Sequence, residues 1–249
     1  FLLNANGVLF SPTAQVNVGS LVVSTLKMSM NDFMSGNFIL RQDGINPAPI
    51  FNAGNITAAD GGSVTMAAGA IQNSGSITAN LGTVNLVAGE EVTLNISGDG
   101  NIQATVDKEI LNNVVDQDGN RVSVGVNNIG NITANGGTVL IQAEAVSDVF
   151  DKLVNQQGLV KAGSMVSKDG KITLVSNSAG IVQNTGTLDA SAIQAGAKGG
   201  TIEMTGSKVG QFGIAKADAI DGNGGKIDLY SRDVVSLCSV SLTTANAGL

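Results

Sequence analysis

The chain has 249 residues, a formal net charge of −7 and only 13% charged residues, well under the roughly 25% of an ordinary soluble domain. Three arginines (Arg41, Arg121, Arg232) and no basic run argue against nucleic acid as a partner, and the single cysteine, Cys238, excludes an internal disulfide framework. The 43% hydrophobic content comes from Val, Ile, Leu and Ala, with 33 Gly, 3 Pro and neither Trp nor His, a balance that suits β structure with tight turns.

The first segment, Asn4 to Leu26 (NANGVLFSPTAQVNVGSLVVSTL), holds no charge yet is threaded with Asn, Gln, Ser and Thr. It lacks the basic front of a signal peptide. Asn4, Asn6, Gln15 and Asn17 would all be costly in hydrocarbon, which opposes a membrane helix. The expectation is a fragment whose true N-terminus, signal included, lies upstream. Asn4-Ala5-Asn6-Gly7 is a turn by composition, since Asn forms Asx-turns and Gly7 is free to take positive φ. Asn17 and Gly19 also read as turn residues. Met28 to Pro49 is less regular, carries Phe33 and Phe38, and is expected to join an outlying strand pair to the main body of the chain.

From Asn52 a two-part unit recurs: N-x-G-x-I-x-A, a turn, then G-G-x-V-x-L. The first half stands at Asn52–Ala58, Asn73–Ala79, Asn128–Ala134 and Asn184–Ala190, with weaker copies at Gly100–Ala104 and Gly158–Ala162. The second half stands at Gly62–Met66, Gly82–Leu86, Gly137–Ile141, Gly170–Leu174, Gly200–Met204 and Gly225–Leu229. Each half alternates with period two, the pattern of a strand buried on one face. Ile56, Ala58, Val64 and Met66 are expected inside, Thr57 and Thr65 outside. The period is about 20 residues from Gly62 to Gly82 and stretches to about 30 where loops are inserted. Equivalent strands recurring once per repeat with one turn chemistry stack as parallel ladders around a narrow core. About seven or eight coils at roughly 4.8 Å each make a rod of about 35–40 Å. Val64, Val84, Val139, Ile172, Ile202 and Ile227 are expected to stack inside it.

Two stretches interrupt the rhythm. Val106 to Val126 alternates around Asp118-Gly119-Asn120 and predicts a protruding hairpin or small side sheet. Val146 to Asn155 places Val146, Val149, Phe150 and Leu153 at helical spacing and predicts a short helix lying on the coil. No Pro-rich or Ser-rich linker divides the chain, so residues 1–249 are expected to form a single domain.

Residues with chemical potential are sparse. There is one tyrosine, Tyr230, and the carboxylates are spread singly. Asp116, Asp118 and Asn120 begin as a calcium loop would, but its Gly and downstream Glu positions fail. The run from Asp221 to Asp228 misses the calcium-binding nonapeptide and reads as a turn. Glu90 and Glu91 are expected on a solvated turn. Cys238 has no histidine to activate it and reads as an unpaired thiol. No catalytic residue, metal site or cofactor is expected.

The opening segment resembles the N-terminal domain of filamentous haemagglutinin-like exoproteins, also called the haemagglutination activity or two-partner-secretion (TPS) domain. The family form reads approximately N-P-N-G-[IV]-x-F-G-x-x-A-x-[VI]-N-V-G-G-L. Asn4, Asn6, Gly7, Val8, Phe10, Ala14, Val16, Asn17, Val18, Gly19 and Leu21 match it, while Ala5 replaces the proline and Ser11 the glycine. Asp32 to Leu40 (DFMSGNFIL) resembles the next segment of the family form, and the repeats extend the resemblance to about Leu229. Family members carry further strands and a cap upstream of this motif.

The resemblance implies an all-β, right-handed parallel β-helix. It also implies a function: targeting a large adhesin- or haemagglutinin-type exoprotein for secretion and nucleating its fold. The implied partner is a cognate outer-membrane β-barrel transporter with periplasmic receptor modules. The implied location is the bacterial surface or the medium, reached through the periplasm, with host-cell contact made by the rest of the exoprotein. Asn4, Asn6, Gly7, Asn17 and Gly19 are the candidate secretion motif. Whether the asparagines hold a coil corner or touch the transporter stays open at this point. Two other readings remain: a carbohydrate-active β-helix enzyme, since the architecture hosts such enzymes, and a directly adhesive segment.

Overall fold

The backbone turns from Val8–Phe10 into Gln15–Val18 and again into Leu21–Ser24, and this order of three strands recurs coil after coil. The computed structural model describes residues 1–44, 47–98, 100–239 and 241–247. Ile45 and Asn46 of the Met28–Pro49 segment, and Val240, Gly248 and Leu249 of the C-terminal segment, lie outside the described residues. The first face begins with Val8–Phe10, the second with Gln15–Val18 and the third with Leu2–Leu3 and Leu21–Ser24. The second face is an 8-stranded parallel sheet running up to Leu242–Thr244. The first and third faces merge through the bent strand Thr201–Gln211 into a 14-stranded sheet. The architecture is a parallel β-helix, and among the described residues no helix is long and apolar enough to cross a membrane.

Register keeps to the repeat. Val64, Val84, Val139, Ile172 and Ile202 are successive partners on the third face and are fully buried; Ile227 continues the column at the end and is only half-buried. On the second face Ile56, Ile77, Ile132, Val160 and Leu188 form the matching inner column. Branched side chains of equal size stack without voids as coils are added, so the bore needs no bulky ring.

The corners carry two further ladders. The repeat asparagines turn inward, and Asn52 and Asn184 also cap their corners, each Oδ1 accepting at 3.2 Å from the N–H of Gly54 and of Gly186 respectively. Asn52 Nδ2 donates to Asn73 Oδ1 at 2.8 Å, Asn73 Nδ2 to Asn128 Oδ1 at 2.7 Å, and Asn128 Nδ2 to Gln156 Oε1 at 2.6 Å. There Gln156 Nε2 turns to Gly158 O at 2.7 Å, and one coil on a separate rung joins Asn184 Nδ2 to Gln211 Oε1 at 2.9 Å. All six amides are buried, so each bond spares a desolvated group from going unpaired. The corner glycines are required by space. A Cβ on Gly75, two residues after Asn73, would lie 2.0 Å from the carbonyl oxygen of Gly54, and at the next corner one on Gly82 would lie 1.8 Å from that of Gly62. Neither glycine has left-handed φ.

Outside the coil, Phe38–Arg41, Glu91–Ile96 and Ile102–Lys108 form a 3-stranded antiparallel sheet laid against the third face. A second small core lies between them, built from Val22, Leu26, Leu40, Ala67, Val87, Val92, Leu94, Ile102, Ala104 and Val106. A five-residue helix, Met30–Met34, capped by Ser29 Oγ accepting from Asp32 N at 3.0 Å, sits at the rim of this sheet. The Phe33 and Phe38 rings meet that of Phe1 there, with centroids 5.7 to 6.0 Å apart.

Several expectations need correction. The helix expected over Val146–Asn155 is absent; Asp148 takes a left-handed φ of 70°, and Lys152–Gln156 is a first-face strand. A left-handed residue cannot continue a right-handed helix, and Arg121 takes the Asp148 and Val149 carbonyls at 3.2 and 2.9 Å. Val149 and Phe150 are buried in the main core from an irregular path, and Leu153 from the strand that follows it. Gly100–Ala104 is not a coil strand, because Ile102–Lys108 belongs to the side sheet. The hairpin within Val106–Val126 is present as a Val115–Arg121 bridge closed by Asp116–Asn120, whereas the side sheet starts earlier in the chain. Thr65 points out of the coil yet is fully buried, because the side sheet covers it. Glu90 is no solvated-turn residue: its buried carboxylate pairs with Lys108 at 3.0 Å and accepts from Leu111 N at 3.0 Å.

The corner constraint yields a stability test. Gly82→Ala forces the backbone of neighbouring coils apart and is expected to cost about 2–3 kcal/mol. Gly98→Ala, at an open surface position, is expected within about 0.5 kcal/mol of the parent. Val84→Asp, placing an unpaired carboxylate in the bore, costs several kcal/mol. Urea midpoints monitored by circular dichroism separate the three; equal midpoints for Gly82→Ala and Gly98→Ala would refute the steric role.

Candidate functional site

The Asn4–Gly7 corner is built at the start of the first coil. Leu2 and Leu3 pair with Val23 and Ser24, and Asn4 N donates to Ser24 O at 2.9 Å, which fixes where the turn begins. The Asn4 side chain then closes the turn from both ends. Its Oδ1 accepts from Asn6 N at 3.2 Å and its Nδ2 donates to Gly7 O at 3.0 Å. The backbone adds Gly7 N to Asn4 O at 3.2 Å. Gly7 has φ of 109°, which only glycine adopts without strain.

The two asparagines therefore differ in kind. Asn4 is the clamp. Asn6 contributes its backbone N–H, while its exposed side chain makes no hydrogen bond among the described residues. Sequence reasoning does not separate them, because both residues favour the same turn.

Asn17 and Gly19 are not part of this corner. Asn17 is no turn residue: it stands in the strand Gln15–Val18 opposite Thr57, exposed on the second face. Gly19 lies at the next corner, where its carbonyl oxygen would be 1.9 Å from a Cβ on Gly62. It is the first member of a glycine ladder. The five motif residues thus sit at three separate places on the first coil.

A feature not legible in the sequence lies beside the corner. The hairpin around Asp116 leans over the first face. Asn6, Gly7, Leu9, Pro49, Phe51, Asp116 and Gln117 line one cavity of about 290 Å³. The Asp116 carboxylate accepts from Asn120 N and Asp118 N, both at 2.9 Å, and from Asn120 Nδ2 at 3.3 Å. These bonds, the Asn120 backbone foremost, hold its pKa below the ordinary aspartate value against the opposing effect of burial. Its oxygens serve the turn, and among the described residues no three His, Cys, Asp or Glu side chains are grouped to hold a metal ion. Elsewhere, burial foremost, with Glu109 and Asp107 nearby, raises the pKa of Glu144.

Comparison with known proteins places this corner in context. Residues 1–190 match the family model of the TPS secretion domain. Among solved structures, the HMW1 secretion domain from Haemophilus influenzae matches with a TM-score of 0.75 and 26% identity, over 99% of this chain and 64% of that one. The chain therefore spans just under two thirds of that relative's length. No curated protein sequence matches the chain.

The division of labour at the corner is measurable by amide hydrogen exchange. Asn4→Ala is expected to speed exchange at the Asn6 amide by about five- to tenfold, the worth of one net hydrogen bond. Asn6→Ala leaves it within about twofold. Equal effects from the two substitutions would contradict the clamp assignment.

Proposed function

The chain belongs to the TPS secretion domain family, and from that premise we propose that it carries the export address of a large bacterial exoprotein of the adhesin or haemagglutinin type and nucleates its fold. It acts by being recognised and catalyses nothing. The route runs through the periplasm to a cognate outer-membrane β-barrel transporter with periplasmic receptor modules. The exoprotein ends outside the cell or on its surface, where its remainder meets the host. Residues 1–249 act in this as one β-helical domain.

The observation that carries this reading is the Asn4–Gly7 corner: a preformed, uncharged turn at the head of the first coil, inside the matched region. Asn4, Asn6 and Gly7 are the recognised shape. Asn17 serves as a surface residue of the same coil, and Gly19 keeps that coil stackable. The nucleating role rests on the far end, where Lys226–Leu237 and Leu242–Thr244 are the last strands of their sheets among the described residues. They leave an edge on which further parallel strands can grow. The absence of His and Trp from the sequence and the scattering of its carboxylates support the non-catalytic reading.

Replacing Asn4 and Asn6 together by Ala in the exoprotein is expected to reduce its appearance outside the cell strongly, with the remaining coils still folded because solenoid units interact mainly with neighbours. The measurement is the amount secreted with and without the cognate transporter. Undiminished secretion of the double variant would sink the motif assignment. Export that needs no transporter would sink the pathway.

A further inference from the structure

The cavity beside the Asn4–Gly7 corner is one of three that adjoin. They measure about 210, 290 and 260 Å³, and Phe51 and Asp116 border all of them. None alone reaches the size of a typical small-molecule site. Joined along the first face they make a trough, which suits an extended chain whose successive side chains enter one recess after another. Its floor is apolar: Phe51 is half-buried and Leu9 is 58% exposed. Its walls are the Asn6–Gly7 turn and the hairpin around Asp116, two segments distant in sequence.

The electrostatics of the trough are one-sided. Arg121 borders one end, but its guanidinium is committed to Asp151 at 3.0 Å and to the Asp148 and Val149 carbonyls. Asp116 makes no ion pair among the described residues, and exposed Asp118 stands beside it. A carboxylate beside an aromatic ring complements a long cationic side chain. The methylene stem packs on the ring while the charged head reaches the acid, with the ring's π face adding attraction.

We propose that the trough between the Asn4–Gly7 turn and the hairpin around Asp116 seats an extended, arginine- or lysine-bearing segment of the transporter's receptor module, with the cationic head at Asp116 and its stem on Phe51. This rests on the export reading above and supplies the chemistry of the partner that reading lacks. The contact is the charged, sequence-selective complement to the uncharged shape of the corner.

The test uses the whole chain and a defined probe: a short peptide alternating valine and arginine, and its counterpart with glutamate for arginine, titrated by fluorescence anisotropy at low and high salt. The arginine peptide is expected to bind, more weakly as salt rises, and the glutamate peptide to fail. Gln117 is exposed and borders two of the cavities, so Gln117→Lys places a like charge in the trough without disturbing the bonds of Asp116. It is expected to weaken the arginine peptide about tenfold. Phe51→Leu, which keeps an apolar side chain and removes the ring, weakens it about threefold. Asn131→Lys makes the same change in net charge on the second face and leaves binding unaltered. In the cell, Gln117→Lys lowers transporter-dependent export while the thermal unfolding of the purified chain stays unchanged. Equal binding of the two peptides, equal effects of Gln117→Lys and Asn131→Lys, or normal export of Gln117→Lys overturns the proposal. Transporter-independent export of the unaltered chain overturns the export reading instead, and the peptide titration then decides the trough by itself.

Discussion

Parallel strands can stack into a rod only if successive coils approach as closely at the corners as along the faces. In this protein that approach is set by glycine. Where the chain leaves the first face, the carbonyl of Gly54, Gly75, Gly130 or Gly158 occupies the volume that a Cβ on the next coil would need. The buried amide two residues earlier then finds its partner one coil away, because the coils are held at that spacing. Register, the inner columns of Val and Ile, and the alignment of amides all depend on this contact. A single corner out of step would leave amides in the bore without partners, at a cost of about 1–3 kcal/mol each.

The same physics explains what can be read without the structure. Strict period-two alternation determines which side chains face the bore, and the recurrence of Val64, Val84 and Val139 at one place in the repeat determines their stacking. The failures are instructive. Val149, Phe150 and Leu153 fall at helical intervals because a loop dips into the core and runs on into the strand Lys152–Gln156, and hydrophobic spacing alone does not distinguish that path from a helical turn. Gly100–Ala104 has the composition of a coil strand, but alternation is shared by parallel and antiparallel strands and does not name the partner. Glu90 reads as solvent-bound because nothing local marks Lys108 as its neighbour. Gln156 and Gln211 escape notice as ladder members although each stands two residues before a corner glycine, as the asparagines do.

Of the candidate site, the turn itself is legible, since Asn and Gly specify local backbone geometry. Its neighbourhood is not. The contact between the first corner and the hairpin around Asp116 arises because the insertion after the third-face strand Thr83–Ala88 folds back down the rod, and no local pattern encodes that direction. The residues that give the corner its chemical surroundings are therefore about a hundred positions away in the chain. The apparent motif Asn4, Asn6, Gly7, Asn17 and Gly19 separates into a clamp, a presented side chain, a glycine of positive φ, a face residue and a stacking glycine. One short sequence signature thus combines several distinct requirements of folding with a side chain left facing solvent.

The side sheet gives the rod a mechanical polarity. Its strands come from two insertions and lie across the coils containing Leu21–Ser24, Ser63–Ala68 and Thr83–Ala88, welding them through a second core. The coils beyond the side sheet are held chiefly by the coil on either side. Under tension, or in thermal fraying, those later coils can peel away singly, like links paid out from a drum, whereas the early block must yield as a whole. A chain threaded through a narrow opening would meet an uneven ladder of resistance: small regular steps along most of the rod and one tall step at the welded end.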